Sequence, residues 1–156
     1  MNLFGLLQIS GSALGAERLR AEVVTSNLAN AETTRTPEGG PYRRRMVVFN
    51  SQPQSPFRLL LANSLAGGSS ISGELSTASA PGGVRVRGVV EDPTVPEQRY
   101  EPGHPDADTN GYVSYPAINP VQEMVDLMGA ERSYELNASA VQAAKQMIQQ
   151  SLQILK

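Results

Sequence analysis

The sequence predicts a mainly α protein with a small β part: long N- and C-terminal helices pairing as a coiled-coil-like domain, with a short β-rich middle segment and loops between them. Three observations carry this. Apolar residues recur with a period near 3.6 from residue 2 to about 30, a strict heptad runs through the last 37 residues, and the stretch between mixes β-branched clusters with Gly, Pro and Ser. The expected segments are 1–32 for the first helix, 33–117 for the middle and 118–156 for the last helix.

In the first helix Leu6, Ile9, Ala13, Ala16 and Val23 share a stripe, and Leu7, Leu14, Ala21 and Leu28 form a column beside it. The apolar face covers close to half the circumference. Asn27 and Asn30, in "SNLANAETT", are expected to end the helix, because Asn tolerates the left-handed conformation.

Asn119 is placed as the N-cap of the last helix, Pro120 at the first helical position, where its missing N–H costs nothing, and Gln122 three residues after the cap. From there Leu127, Tyr134, Val141, Ile148 and Leu155 recur every seven residues, with Met124, Ala138 and Leu152 as a companion column that Glu131 and Lys145 interrupt. Gly129 costs about 1 kcal/mol against Ala inside this helix, unless a neighbouring helix approaches closely there.

Between the helices, "YRRRMVVF" (42–49) and "VRVRGVV" (84–90) read as strands, with "EQRYEP" (97–102) a weaker candidate. Residues 51–83, rich in Ser and Gly in their second half, are expected to be a mobile loop. At 1.5 Å per residue the two helices reach roughly 42 and 54 Å. The middle segment is too small to cover both apolar faces, so the remainder needs other copies or other chains.

Composition narrows the chemistry. The 156 residues carry a formal charge of −2, no Cys and one His. Disulfides, thiolate metal sites and thiol nucleophiles are excluded, as is a zinc site of the usual His/Cys kind. No short cationic-then-apolar leader opens the chain and no window is long and apolar enough to span a bilayer, so a soluble protein without a cleaved signal and without direct membrane insertion is expected. Phosphate-binding loops, nucleophile elbows and dinucleotide fingerprints are missing, so no catalytic or cofactor-binding residue is nominated. Arg43, Arg44 and Arg45 would alternate faces on a strand in an acidic chain with few aromatics, which favours a solvated strand or a polar protein contact over nucleic acid. His104 reads as a turn residue bonded to backbone or to Asp106.

Asp106, Asp108, Asn110 and Gly111 copy the first half of a calcium loop. Position 12 of that loop is Ala117, and Tyr115-Pro116 forbids the exiting helix. Turn formation by these residues is the expected role, and no metal site is assigned.

Two stretches carry a resemblance. "SNLANAETTRTPEGGPYRRRMVVF" (26–49) resembles the block that closes the first helix in the bacterial flagellar rod and hook family, and residues 100–147, with H-P-D-A-D-x-x-G-Y-V and E-M-V-D-L, are similar to its rod members throughout. The resemblance covers 1–50 and 84–156. It implies a structural subunit of the proximal rod, with the terminal helices as its inner domain around an export channel. It also implies delivery by the flagellar type III apparatus to the periplasm. Its implied partners are other proximal and distal rod proteins, neighbouring copies, the export-gate junction and the rod-cap protein. On that reading Leu6, Ile9, Leu14, Val23 and Leu28 pack with Leu127, Tyr134, Val141, Ile148 and Leu155. Asn27 and Asn30 fix the turn out of the first helix, and Asp106, Gly111 and Tyr112 shape the return into the last. A monomeric helical-hairpin binding module, or a calcium-binding module through 106–117, stays open at this point.

Overall fold

The computed structural model describes residues 3–51 and 82–154. Helix α1 spans Leu3–Ala29 and α2 spans Pro120–Ile154. Strands β1 (Arg45–Ser51) and β2 (Val84–Glu91) form one antiparallel pair, and β3 (Glu97–Tyr100) and β4 (Tyr112–Tyr115) form another. The protein is thus mainly helical, with a small antiparallel β part between two long helices. The loop expected at 51–83 lies almost wholly outside the described residues, as does Leu155. Among the described residues, no helix is long and apolar enough to cross a membrane.

The helices run antiparallel, with Asn27 against Glu123 and Arg20 against Asp126, while Glu17 and Ala21 face Ala130 and Tyr134. The β1–β2 pair lies along a second side of α1. Its open end sits at Asn27, which bonds Arg45, and its other end at Ser12, whose Oγ accepts the Val84 N–H at 3.0 Å. The lengths match: fifteen helical residues rise roughly 22 Å and the strand steps from 45 to 51 cover about 20 Å. Gly83 makes this docking possible, because a Cβ there would run into Ser12 Oγ. Pairing slips once, between Val48↔Gly88 and Phe49↔Val86, which leaves Arg87 as the extra residue of a bulge.

A tight turn separates α1 from β1. Gly39 (φ 90°) and Gly40 (φ 81°) supply its left-handed backbone, closed by Thr36 N–H to Gly40 O at 2.9 Å. The β3–β4 pair packs near this turn. Its buried side is anchored by Val113, and its connecting loop by Asp106, which accepts from Thr34 Oγ1 at 2.9 Å.

Candidate functional site

The seam between the helices is built from small and polar side chains. On α2 the positions facing α1 recur every seven residues as Glu123, Ala130, Asn137 and Ala144, with Ala144 0 % exposed; the buried residues of α1, which packs on both α2 and the β1–β2 pair, are Ser10, Ala16, Val24 and Asn27. Small side chains let two backbones approach closely, so the larger residues are displaced to the flanks. Ile9, Leu14, Val23, Leu28, Leu127, Val141 and Ile148 are half-buried there, while Leu6 and Tyr134 are exposed (41 % and 44 %). The companion column expected at Met124, Ala138 and Leu152 is displaced by one residue to 123, 130 and 137: Met124 and Leu152 face solvent. Apolar size alone misplaced it, since Ala and a paired Glu fill the narrow seam better than Met and Leu. Gly129 is itself exposed, with open space where a Cβ would stand.

One end of the seam is closed by a polar clamp. Asn27, 0 % exposed, uses all four of its hydrogen-bonding positions. Nδ2 donates to Arg45 O at 2.8 Å and Glu123 Oε2 at 3.1 Å, and Oδ1 accepts from Arg45 N–H at 2.9 Å and Tyr42 Oη–H at 3.2 Å. Its amide therefore pairs with Arg45 as a strand neighbour would. Glu123, 1 % exposed, also accepts from Arg44 Nε at 2.6 Å, and Arg44 reaches Asp126 (3.6 Å) and Asp92 (3.9 Å). A buried carboxylate needs such a partner. Four chain segments meet in this cluster: the end of α1, the start of β1, the residue after β2 and the first two turns of α2. The Asp92 carboxyl is held below its ordinary value mainly by the Thr94 hydroxyl and N–H, with Arg44 a smaller cause.

At the helix ends, Asn119 Oδ1 accepts from Val121 N–H at 3.0 Å and Gln122 N–H at 3.4 Å, so Gln122 serves the cap through its backbone. Pro120 opens the helix. Asn30 follows α1 and donates from Nδ2 to Ser26 O at 2.9 Å. Neither Asn27 nor Asn30 is left-handed: among the described residues positive φ is confined to Gly39, Gly40 and Gly111. Side-chain bonding to backbone replaces the conformational ending expected of these residues, and Asn27 stays inside the last turn of α1.

The 101–111 loop disperses its acids. Asp106 bonds Thr34 and lies 3.7 Å from Arg35, whereas Asp108 Oδ1 accepts from Thr109 N–H at 2.6 Å. Gly111 (φ 80°) is buried under Tyr100, which stacks edge-on with Tyr112 at 5.3 Å. His104 Nδ1 accepts from Asp106 N–H at 3.1 Å. Among the described residues no three His, Asp or Glu side chains converge on one point. Tyr115 donates to Glu101 Oε2 at 3.0 Å, and this bond, with burial and the Glu101 charge, raises the phenol above its ordinary value.

Both sides of the clamp fall in segments that match known families. A family described as "Flagella basal body rod protein" matches residues 7–35, and one described as "Flagellar basal body rod FlgEFG protein C-terminal" matches 109–154. The chain is 41% identical to the flagellar basal-body rod protein FlgC of Bacillus subtilis, with all of both chains covered. It is 36% identical to that of Borreliella burgdorferi, over all of this chain and 99% of the relative. To that of Salmonella typhimurium it is 37% identical, over 97% of each. The chain belongs to the FlgC family of flagellar basal-body rod proteins. It is a structural protein of the flagellar basal body and not an enzyme. The clamp then has a mechanical reading: it fixes the helix pair and the β1–β2 pair as one unit at the end where the chain leaves α1 and re-enters α2. Sequence reasoning passed over Glu123 and read Arg44 only as one of three strand arginines, not as the partner of a buried carboxylate. The signal was the seven-residue column of Glu, Ala, Asn and Ala, which is apolar only at its small members.

Proposed function

We propose that this chain is a load-bearing subunit of the proximal rod, with residues 1–32 and 118–156 as its inner domain beside an export channel and 33–117 as its outer part. It assembles with copies of itself and with other proximal and distal rod proteins, and the export-gate junction and rod-cap protein are its neighbours during construction. It reaches the periplasm through the flagellar type III apparatus.

The observation that supports this is a stripe on α2 directed away from its seam. Val121, Met124, Val125 and Met128 follow an i, i+3, i+4, i+7 pattern and are 52–69 % exposed. A helix already paired along Glu123, Ala130 and Ala144 has no intramolecular use for a second apolar face, so a neighbouring subunit covers it. On this reading the half-buried Leu14, Leu28, Leu127, Val141 and Ile148 are completed by neighbours as well. The test is Met124→Asp with Met128→Asp in cells lacking their own copy. The chain should melt as before, while the cells build the membrane ring but no flagellum. Normal motility with this variant would overturn the reading and leave a self-sufficient helical hairpin.

A further inference from the structure

The middle of the chain is electrically divided. Residues 33–51 and 82–91 hold six arginines and two glutamates, a formal +4, and residues 92–116 hold five acids and one arginine, a formal −4. Two contacts already join the halves within the chain, Arg44 to Asp92 and Arg35 to Asp106. They leave Arg43, Arg85 and Arg87 without an acidic partner among the described residues.

Arg85 and Arg87 sit at the end opposite the acidic loop, whereas Arg43 lies near Asn30 and Thr33. Arg85 and Arg87 belong to the end of the β1–β2 pair docked at Ser12, and both are exposed. Directly opposed residues share a face, so Arg85 stands with Asn50, and Met46 with Val90 further along the same side. The acidic loop with Asp108 lies past the other end of α1, fastened to Thr34. Beside it the Tyr100–Tyr112 pair is exposed. From Ser12 to Asn30 the helix rises roughly 27 Å, more than two Debye lengths of about 8 Å at physiological salt. Neither patch can neutralise the other within one chain.

We propose that the acidic β3–β4 tip, with Tyr100 and Tyr112, docks on the Arg85/Arg87 face of a second copy of this chain. Each side offers the same combination, an apolar pair rimmed by charge, of opposite sign. The contact joins different surfaces of two identical chains, so it is head-to-tail and repeats; such contacts build open helices or rings, never closed two-fold dimers. The inference rests on the rod-subunit reading and adds to it a second contact, outside the helices, that sets the axial offset between neighbours.

The chain has no cysteine, which permits a direct test. Arg87→Cys and Asp108→Cys placed together in one full-length chain should give an oxidised ladder of dimers and higher oligomers in isolated basal bodies, and neither substitution alone should extend beyond a dimer. Charge reversal supplies the second arm. Arg85→Glu with Arg87→Glu should lower the assembled fraction about tenfold, and Glu101→Lys with Asp108→Lys should do the same. All four changes in one chain should restore assembly, because the pairing is merely inverted. Absence of the unsubstituted chain from basal bodies would refute the rod reading itself. Presence of the chain without a ladder, or failure of the four-fold variant when its melting temperature is unchanged, overturns the docking alone. A cross-linked band at the mass of a different protein assigns the patch to another partner and overturns it too.

Discussion

Asn27 and Glu123 meet 96 residues apart in sequence, each sealed from solvent, with Asn27 Nδ2 donating to Glu123 Oε2 at 3.1 Å. This contact ties the last turn of α1 to the first turn of α2 and fixes their register. Asn27 also holds both backbone groups of Arg45, so Asn27→Ala strands an N–H, a C=O and a carboxylate oxygen together. The expected loss is about 2–4 kcal/mol by urea unfolding. Asn27→Asp should do no better, since it sets a second carboxylate against Glu123.

Arg44→Met should be at least as damaging, about 3–5 kcal/mol, because it leaves the buried Glu123 without the cation that compensates its burial. Glu123→Gln in the same chain should recover a large part of that loss. A double-mutant cycle measures the coupling; additive losses would mean that the 2.6 Å contact carries no weight in solution.

The seam predicts an inverted response to side-chain size. Ala144→Leu forces a larger group into a fully buried position and should cost about 1–3 kcal/mol or more. Leu152→Ala, on the exposed side, should change monomer stability by no more than about 0.5 kcal/mol. Thermal melts of both variants at low concentration check this.

That inversion marks where the sequence was legible. The start of α2 was, because Asn119 and Pro120 leave little choice, and so was the period of its pattern from Leu127 to Ile148. Three strands were also legible, two in the β-branched residues around Val47 and Val86 and a weaker one at 97–102, where β3 forms. The face of α2 that meets α1 was not. Hydrophobic size points to Met124 and Leu152, but tight helix approach selects Ala130 and Ala144, and the one large member, Glu123, is admitted only through Arg44 and Asn27. That pairing spans segments far apart in the chain, so no local pattern contains it. Strand β4 was missed for a similar reason: its four residues gain stability from pairing with β3 and from burying Val113, not from their own periodicity.

Gly111→Ala tests the return loop. The position has φ 80° and a Cβ would stand 3.0 Å from Tyr100 Cε2 and 3.3 Å from Pro102 Cβ. Backbone strain and the displaced ring should together cost about 1–3 kcal/mol. The edge-on Tyr100–Tyr112 pair should loosen at the same time, visible as averaged ring signals by NMR. Gly129→Ala is the matched control. It sits in open helix with ordinary backbone and should stabilise by about 0.5–1 kcal/mol.

Tyr115 provides a pH-dependent signature of the β3–β4 unit. Its hydroxyl donates to Glu101, and that bond is the largest cause of a phenol raised above 10.0, followed by burial and the Glu101 charge; Arg99, 4.7 Å over the ring, opposes it. The neutral phenol is the form that the fold favours. Its contribution is therefore complete below about pH 10, the unfolded value, and is lost as pH rises through the higher folded value. Following the ring carbons by NMR, Tyr115 should ionise above its ordinary value. Glu101→Ala removes both the acceptor and the charge, so it should bring that transition down toward 10.0. A midpoint unmoved by Glu101→Ala would place the cause in burial, and the 3.0 Å bond would no longer account for the shift.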